Sequence, residues 1–304
     1  MKRALAVVGA LVMIVVAVVI RARIDDNGGS SSTTPSGPTT IVCVRELESV
    51  CTALSRPNVT TRVEDASVTA RALAHGDTTI TGWVTLDPWP AIVNQLAQRQ
   101  VTGTPARLAK TDLVIAMVQE RADRLAPTCG GTVGWKCLGD AIGKQWTDVG
   151  GDPQWGAVKV GIPPVTSAEG LLLLGNAASG FFASTTFATN DFDDAFLVWK
   201  ANVTRQPGSF TPFIQQFPAA FSAVGTTRLE VATQSGSRPV ATIVPAPAAT
   251  AFAVLAPVAN GRVGGFEGSA RAQLKGDGWL TDALDGPTGL PDPGVLLALS
   301  GLTG

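Results

Sequence analysis

From Thr40 onward the sequence alternates β-branched apolar runs with short helical stretches, and this alternation limits the fold more than any other feature. "TTIVCV" reads as a strand, "RELESVCTAL" as a helix, "NVTTRVE" as a strand, and "DASVTARALAHG" as a helix with Asp65 as cap and Gly76 as stop. "TTITGWVTL" is a third strand. In "DPWPAIVNQLAQRQ" Asp87 is placed to cap a helix, with Pro88 at its first position and Trp89, Ile92, Val93 and Leu96 on one face. Strands joined by such crossovers lie parallel, in a sheet covered by helices on both sides.

Between Leu113 and about Gly236 the theme recurs with different contents: the strand "LVIAMV", the helix "QERADRLA", the strand "VKVGI", the helices "SAEGLLLLGNAASGFF" and "DFDDAFLVWKANV", then "FSAVG" and the helix "TTRLEVATQ". The chain then returns to strands in "VATIVPAP" and "TAFAVLAPV", followed by helices in "GFEGSARAQLKGDGWL" and "PGVLLALS". Three strands alone make an undersized sheet. One lobe is therefore expected from both ends of the chain, residues 41–112 plus 237–304, with residues 113–236 inserted as a second lobe. At 304 residues, 45% of them apolar, the chain can bury cores of that size.

Ahead of this body, Lys2 and Arg3 precede seventeen uncharged residues, 4–20, which end at Arg21 and Arg23. A secretory signal has a shorter apolar region and a small-residue cleavage site, so residues 1–26 favour an uncleaved transmembrane anchor; a cleaved signal and a secreted body form the alternative. Lys2, Arg3 and the terminal amine place the body outside the membrane. Residues 27–40, almost entirely Gly, Ser, Thr and Pro, read as a flexible linker.

The formal net charge is -1 and the basic residues are not clustered, which leaves no footprint for nucleic acid or an anionic lipid surface. His75 is the one histidine, so histidine triads and multi-histidine metal sites drop out. Cys43 and Cys51 have the same short gap as Cys129 and Cys137, which favours two local disulfides outside the cell; neither gap suits a zinc knuckle. No cofactor is called for.

Six stretches in order, "CVRELESVC", "GWVTLDPWP", "LVIAMV", "VGIPPVTSAEGLLLLG", "FSAVGTTRLEV" and the return through "VPAP", "TAFAVLAPV" and "LKGDGW", resemble bacterial extracellular solute-binding proteins of the type 2 periplasmic-binding-protein fold. Within that fold the chain resembles an actinobacterial-type group whose module stands alone or precedes a von Willebrand A domain. The resemblance implies a two-lobed α/β protein, each lobe a mostly parallel sheet flanked by helices, that closes on a small polar solute, with a membrane transporter or an envelope protein as partner.

Ligands of open α/β sheets bind at the carboxyl ends of strands, where helices begin with unpaired N–H groups. This rule singles out Arg45 and Glu46 after the first strand, Trp83 in the third, Thr166, Ser167 and Glu169 at the start of the long apolar helix, and Thr226 before "RLEVATQ". Ser167 is either a plain helix cap or a ligand contact. Arg45 either meets an anionic ligand or pairs on the surface with Glu48. Glu169 at that helix start repels an anion, which favours a neutral or cationic ligand. Catalysis lacks its residues: "TSAEG" is not a nucleophile elbow and has no histidine or lysine base beside it. An envelope interaction or sensing protein that keeps the fold without a transported ligand is the alternative.

Overall fold

The computed structural model describes residues 39–217, 219–259 and 261–303. The expected anchor at 1–26 and all but the last two linker residues lie outside these. Thr39 and Thr40 are not linker. They open strand β1 (Thr39–Val44), where Thr39 lies opposite Val59 and Thr40 opposite Thr60, because β-branched threonine suits a strand edge. A 3-10 turn, Arg45–Leu47, leads into α1 (Glu48–Leu54), then β2 (Val59–Glu64), α2 (Ala66–Ala74), β3 (Gly82–Leu86) and α3 (Trp89–Leu96). β2 and β3 both pair with β1 in parallel, as the crossovers require. The Cys43–Cys51 disulfide ties β1 to the helix that follows it, with Cα atoms 5.8 Å apart.

Two expected caps do other work. Asp65 precedes α2 but caps nothing with its side chain, which pairs with Arg45 at 2.6 Å. Asp87 does not cap α3; its carboxylate takes the Arg107 guanidinium at 2.9 Å. In both cases a charged partner from elsewhere in the fold binds the carboxylate more strongly than a neutral backbone N–H would.

Next comes β4 (Ala106–Val118), a strand of thirteen residues of which only the apolar second half was legible. After it run α4 (Gln119–Leu125), α5 (Trp135–Ala141), β5 (Val160–Gly161), α6 (Ala168–Phe182), α7 (Asp194–Thr204), α8 (Phe210–Gln215), β6 (Ala223–Thr227), α9 (Arg228–Gln234), β7 (Val240–Ile243), β8 (Thr250–Pro257), α10 (Glu267–Gly276) and α11 (Pro293–Ser300). The Cys129–Cys137 disulfide anchors the loop before α5 to that helix. The strand order is β2-β1-β3-β8-β4-β6-β5, with β7 also on β4. The sheet is mixed: parallel from β2 to β3 and from β6 to β5, antiparallel where β8 and β4 enter.

β4 belongs to both halves. Up to Asp112 it pairs with β8, and from Leu113 it pairs with β6. β7, expected with the returning chain of the first lobe, pairs with Ile115–Val118 of β4. α11 packs on both α3 and α6 and so holds the two halves together.

α6 is buried from Ala168 through Ser179, an apolar helix without a solvent face over that length. Midway along it Asn176 is satisfied: Trp135 Nε1 donates to Asn176 Oδ1 at 2.8 Å, and Asn176 Nδ2 donates to the Pro247 carbonyl at 2.9 Å. Among the described residues no helix is long and apolar enough to cross a membrane.

Candidate functional site

The start of α6 is where the halves meet. Pro163 and Pro164 turn the chain so tightly onto the helix that a Cβ at position 170 would lie 2.1 Å from the Pro164 carbonyl oxygen, so residue 170 must be glycine. Ser167 is the N-cap: its hydroxyl accepts from Gly170 N at 3.0 Å and donates to the Pro164 carbonyl at 2.8 Å. Both bonds stay inside the turn, so the hydroxyl is already engaged. Thr166 is exposed, and its carbonyl accepts from Ser67 N of α2 at 3.0 Å.

Two more bonds cross to the same turn. Trp89 Nε1 of α3 donates to the Ala168 carbonyl at 3.1 Å, and Glu46, in the 3-10 turn after β1, accepts from Glu169 N at 2.9 Å. The helix N-terminus, which favours negative charge, therefore already holds a carboxylate, supplied by the chain itself.

Around that contact the structure gathers further negative charge. The Glu169 side chain is buried, with the residue only 7% exposed, and its Oε1 has no hydrogen-bond partner; neither has the buried Oε2 of Glu46. Burial pushes the Glu169 carboxyl well above its ordinary value, and the charges of Glu230 and Glu46 push it further. Glu230, in the first turn of α9, is also raised, mainly by burial, although the Thr226 hydroxyl donates to its Oε2 and opposes the shift. None of the six ion pairs among the described residues includes Glu46, Glu169 or Glu230.

Of the residues singled out in the sequence, Glu46 and Glu169 meet directly, and Thr226 joins them through Glu230. Trp83 is fully buried, edge-on to Trp89 with ring centroids 6.2 Å apart, and its Nε1 has no partner. Thr85, two residues along on the same face of β3, is equally buried with an unpartnered hydroxyl. Arg45 points elsewhere: it is exposed and pairs with Asp65, not Glu48. Glu230 was missed, although Thr227-Arg-Leu-Glu230 has the spacing of a capping box. Thr227 does cap α9, accepting from Glu230 N at 3.2 Å, but the Glu230 carboxylate turns to Thr226 instead of closing the box. A cavity of about 470 Å³ beside the Cys129–Cys137 bridge, among Trp135, Lys136 and Lys144, shares no lining residue with this cluster.

No protein-family model matches the sequence, and no curated protein matches it. Solved structures do match. The periplasmic binding protein AfuA from Actinobacillus pleuropneumoniae, with fructose-6-phosphate bound, is 13% identical, aligned over 83% of this chain and 87% of its own with a TM-score of 0.53. The sulfate-binding protein SubI from Mycobacterium tuberculosis is 16% identical over 81% of this chain and 88% of its own, with a TM-score of 0.46. An OxyR mutant from Corynebacterium glutamicum with hydrogen peroxide bound is 9% identical over 85% and 72%, with a TM-score of 0.48. The likeness to AfuA is one of fold: this chain has the two-lobed α/β fold of type 2 periplasmic-binding proteins.

Proposed function

We propose that the chain is an extracellular solute-binding protein, of the actinobacterial-type group its sequence resembles, tethered by residues 1–26. It captures a small polar ligand between its lobes and passes it to a membrane transporter. One observation carries this reading: polar groups that are buried yet unpartnered, on Glu46 and Glu169, lie where two halves of a ligand-binding fold meet. The lobes divide where β4 changes partners between Asp112 and Leu113, which makes that strand the natural hinge. The two disulfides suit an oxidising compartment. No catalytic step is assigned.

A second reading, an envelope interaction or sensing protein without a transported ligand, is favoured by the three direct bonds from Ser67, Trp89 and Glu46 that already join the halves. Thermal unfolding of the full chain against sugars, amino acids, amines and oxyanions separates the two. A bound solute at a hundredfold excess over Kd stabilises the folded state by about 2.7 kcal/mol and raises the midpoint. If no class of compound moves it, the second reading replaces the first.

A further inference from the structure

Six carboxylates elsewhere on the molecule pair with cations, Asp65 with Arg45, Glu64 and Asp77 with Arg62, Asp87 with Arg107, Asp112 with Arg228 and Asp140 with Lys136, and most of the others are exposed to water. The three glutamates at the lobe junction are the contrast. They arrive from separate elements, the turn after β1 and the first turns of α6 and α9; burial raises the proton affinity of Glu169 and Glu230, and the charge of Glu46 raises both further. Two of their oxygens, Glu46 Oε2 and Glu169 Oε1, are sealed from water without a donor. An ionised carboxylate in that state carries its full desolvation cost.

Building on the solute-binding reading, we propose that Glu46, Glu169 and Glu230 form the recognition site for a small organic cation bearing ammonium or guanidinium groups. Such a group brings several N–H donors and a positive charge, which is what the two unpartnered oxygens and the unbalanced charge both lack. An oxyanion is a poor fit. The N-terminus of α6 that would hold it is filled by Glu46, and displacing that carboxylate would leave the anion facing Glu169 and Glu230. A neutral sugar could supply hydroxyl donors, yet it would leave the charge uncompensated. A metal ion is not favoured either, since no group of three acidic, cysteine or histidine side chains among the described residues is arranged to hold one.

The proton is the competitor of the cation. Without a solute, Glu169 and Glu230 hold protons more tightly than exposed glutamates do; a bound cation favours their ionised forms and expels those protons. Binding is therefore stronger at high pH and releases protons. No lysine, arginine or histidine is among the causes of either shift, so the charged groups acting on this site are the glutamates themselves.

The test is calorimetric titration and thermal unfolding of the full chain with putrescine, arginine, glucose, sulfate and phosphate. The proposal expects putrescine or arginine to bind and raise the midpoint at about pH 8, and to bind about tenfold more weakly at about pH 5.5. Glu169→Gln and Glu230→Gln should each weaken that binding about tenfold or more. Glu169→Gln, which copies the protonated form, should at the same time raise the midpoint of the unliganded protein, an opposition that simple misfolding does not produce. If only glucose or the oxyanions bind, the cation site is overturned while the solute-binding reading stands. If a cation binds and both glutamine variants bind it as tightly as the parent, the site is elsewhere and the proposal fails. If nothing binds, both readings fall.

Discussion

Glu169 is held at the start of α6 by two opposing influences. The helix dipole favours its negative charge, and burial beside Glu46 and Glu230 disfavours it. That it would oppose an anion was legible in the sequence, because a glutamate in a first helical turn has a known electrostatic sense. Its burial was not legible, since it depends on Glu46 and Glu230 being brought beside it from other elements. The Ser167 hydroxyl gives and takes one hydrogen bond within its own turn, the geometry of a helix cap. Ser167→Ala is expected to cost about 1 kcal/mol in denaturant unfolding and to leave solute affinity unchanged. Arg45, half of an exposed pair with Asp65, should tolerate alanine within about 1 kcal/mol, with no effect on a titration.

At the scale of elements, α6 shows how a helix can be dictated by what surrounds it. Its length and its Ser cap were legible, while its complete burial needs α11 and α5 against it. Two substitutions probe this environment. Gly170→Ala forces a Cβ into the Pro163 and Pro164 carbonyls and should destabilise by about 1–3 kcal/mol or more. Asn176→Ala strands the Trp135 indole N–H and should cost about 1–3 kcal/mol, where an exposed asparagine would cost almost nothing. Urea denaturation of each variant measures both. The elements that the sequence hid have physical reasons too. The first half of β4 carries Arg107 and Lys110, whose heads reach out to Asp87 and to the Ala283 carbonyl, so no apolar run announces it. α8 is six residues long, too short for a periodic signal.

For the whole molecule, the order of strands and helices was enough to indicate two lobes, because crossover connections impose a parallel core on β2, β1 and β3. The antiparallel entry of β8 and β4 was not legible, since periodicity does not carry strand direction. Each disulfide spans a sequence separation of only 8, so reducing either is expected to cost roughly 2–3 kcal/mol, and non-reduced peptide mapping should find no cross-pairing between Cys43 or Cys51 and Cys129 or Cys137. Uncompensated carboxylates buried where the lobes meet have their own signature in stability. A carboxyl whose folded value lies above its ordinary 4.5 contributes most at low pH, and that contribution is lost as pH rises through the folded value. Asp77, lowered by the hydrogen bonds of Thr79, contributes a constant stability above its ordinary 3.8, lost only at lower pH, and so adds no slope in this window. The most direct measurement is the thermal midpoint of the unliganded full chain from about pH 5 to about pH 8, beside that of Glu169→Gln. The parent is expected to lose stability as pH rises, and the variant to show a shallower slope and the higher midpoint at the alkaline end. Parallel curves, or a parent more stable than the variant at that end, would contradict this.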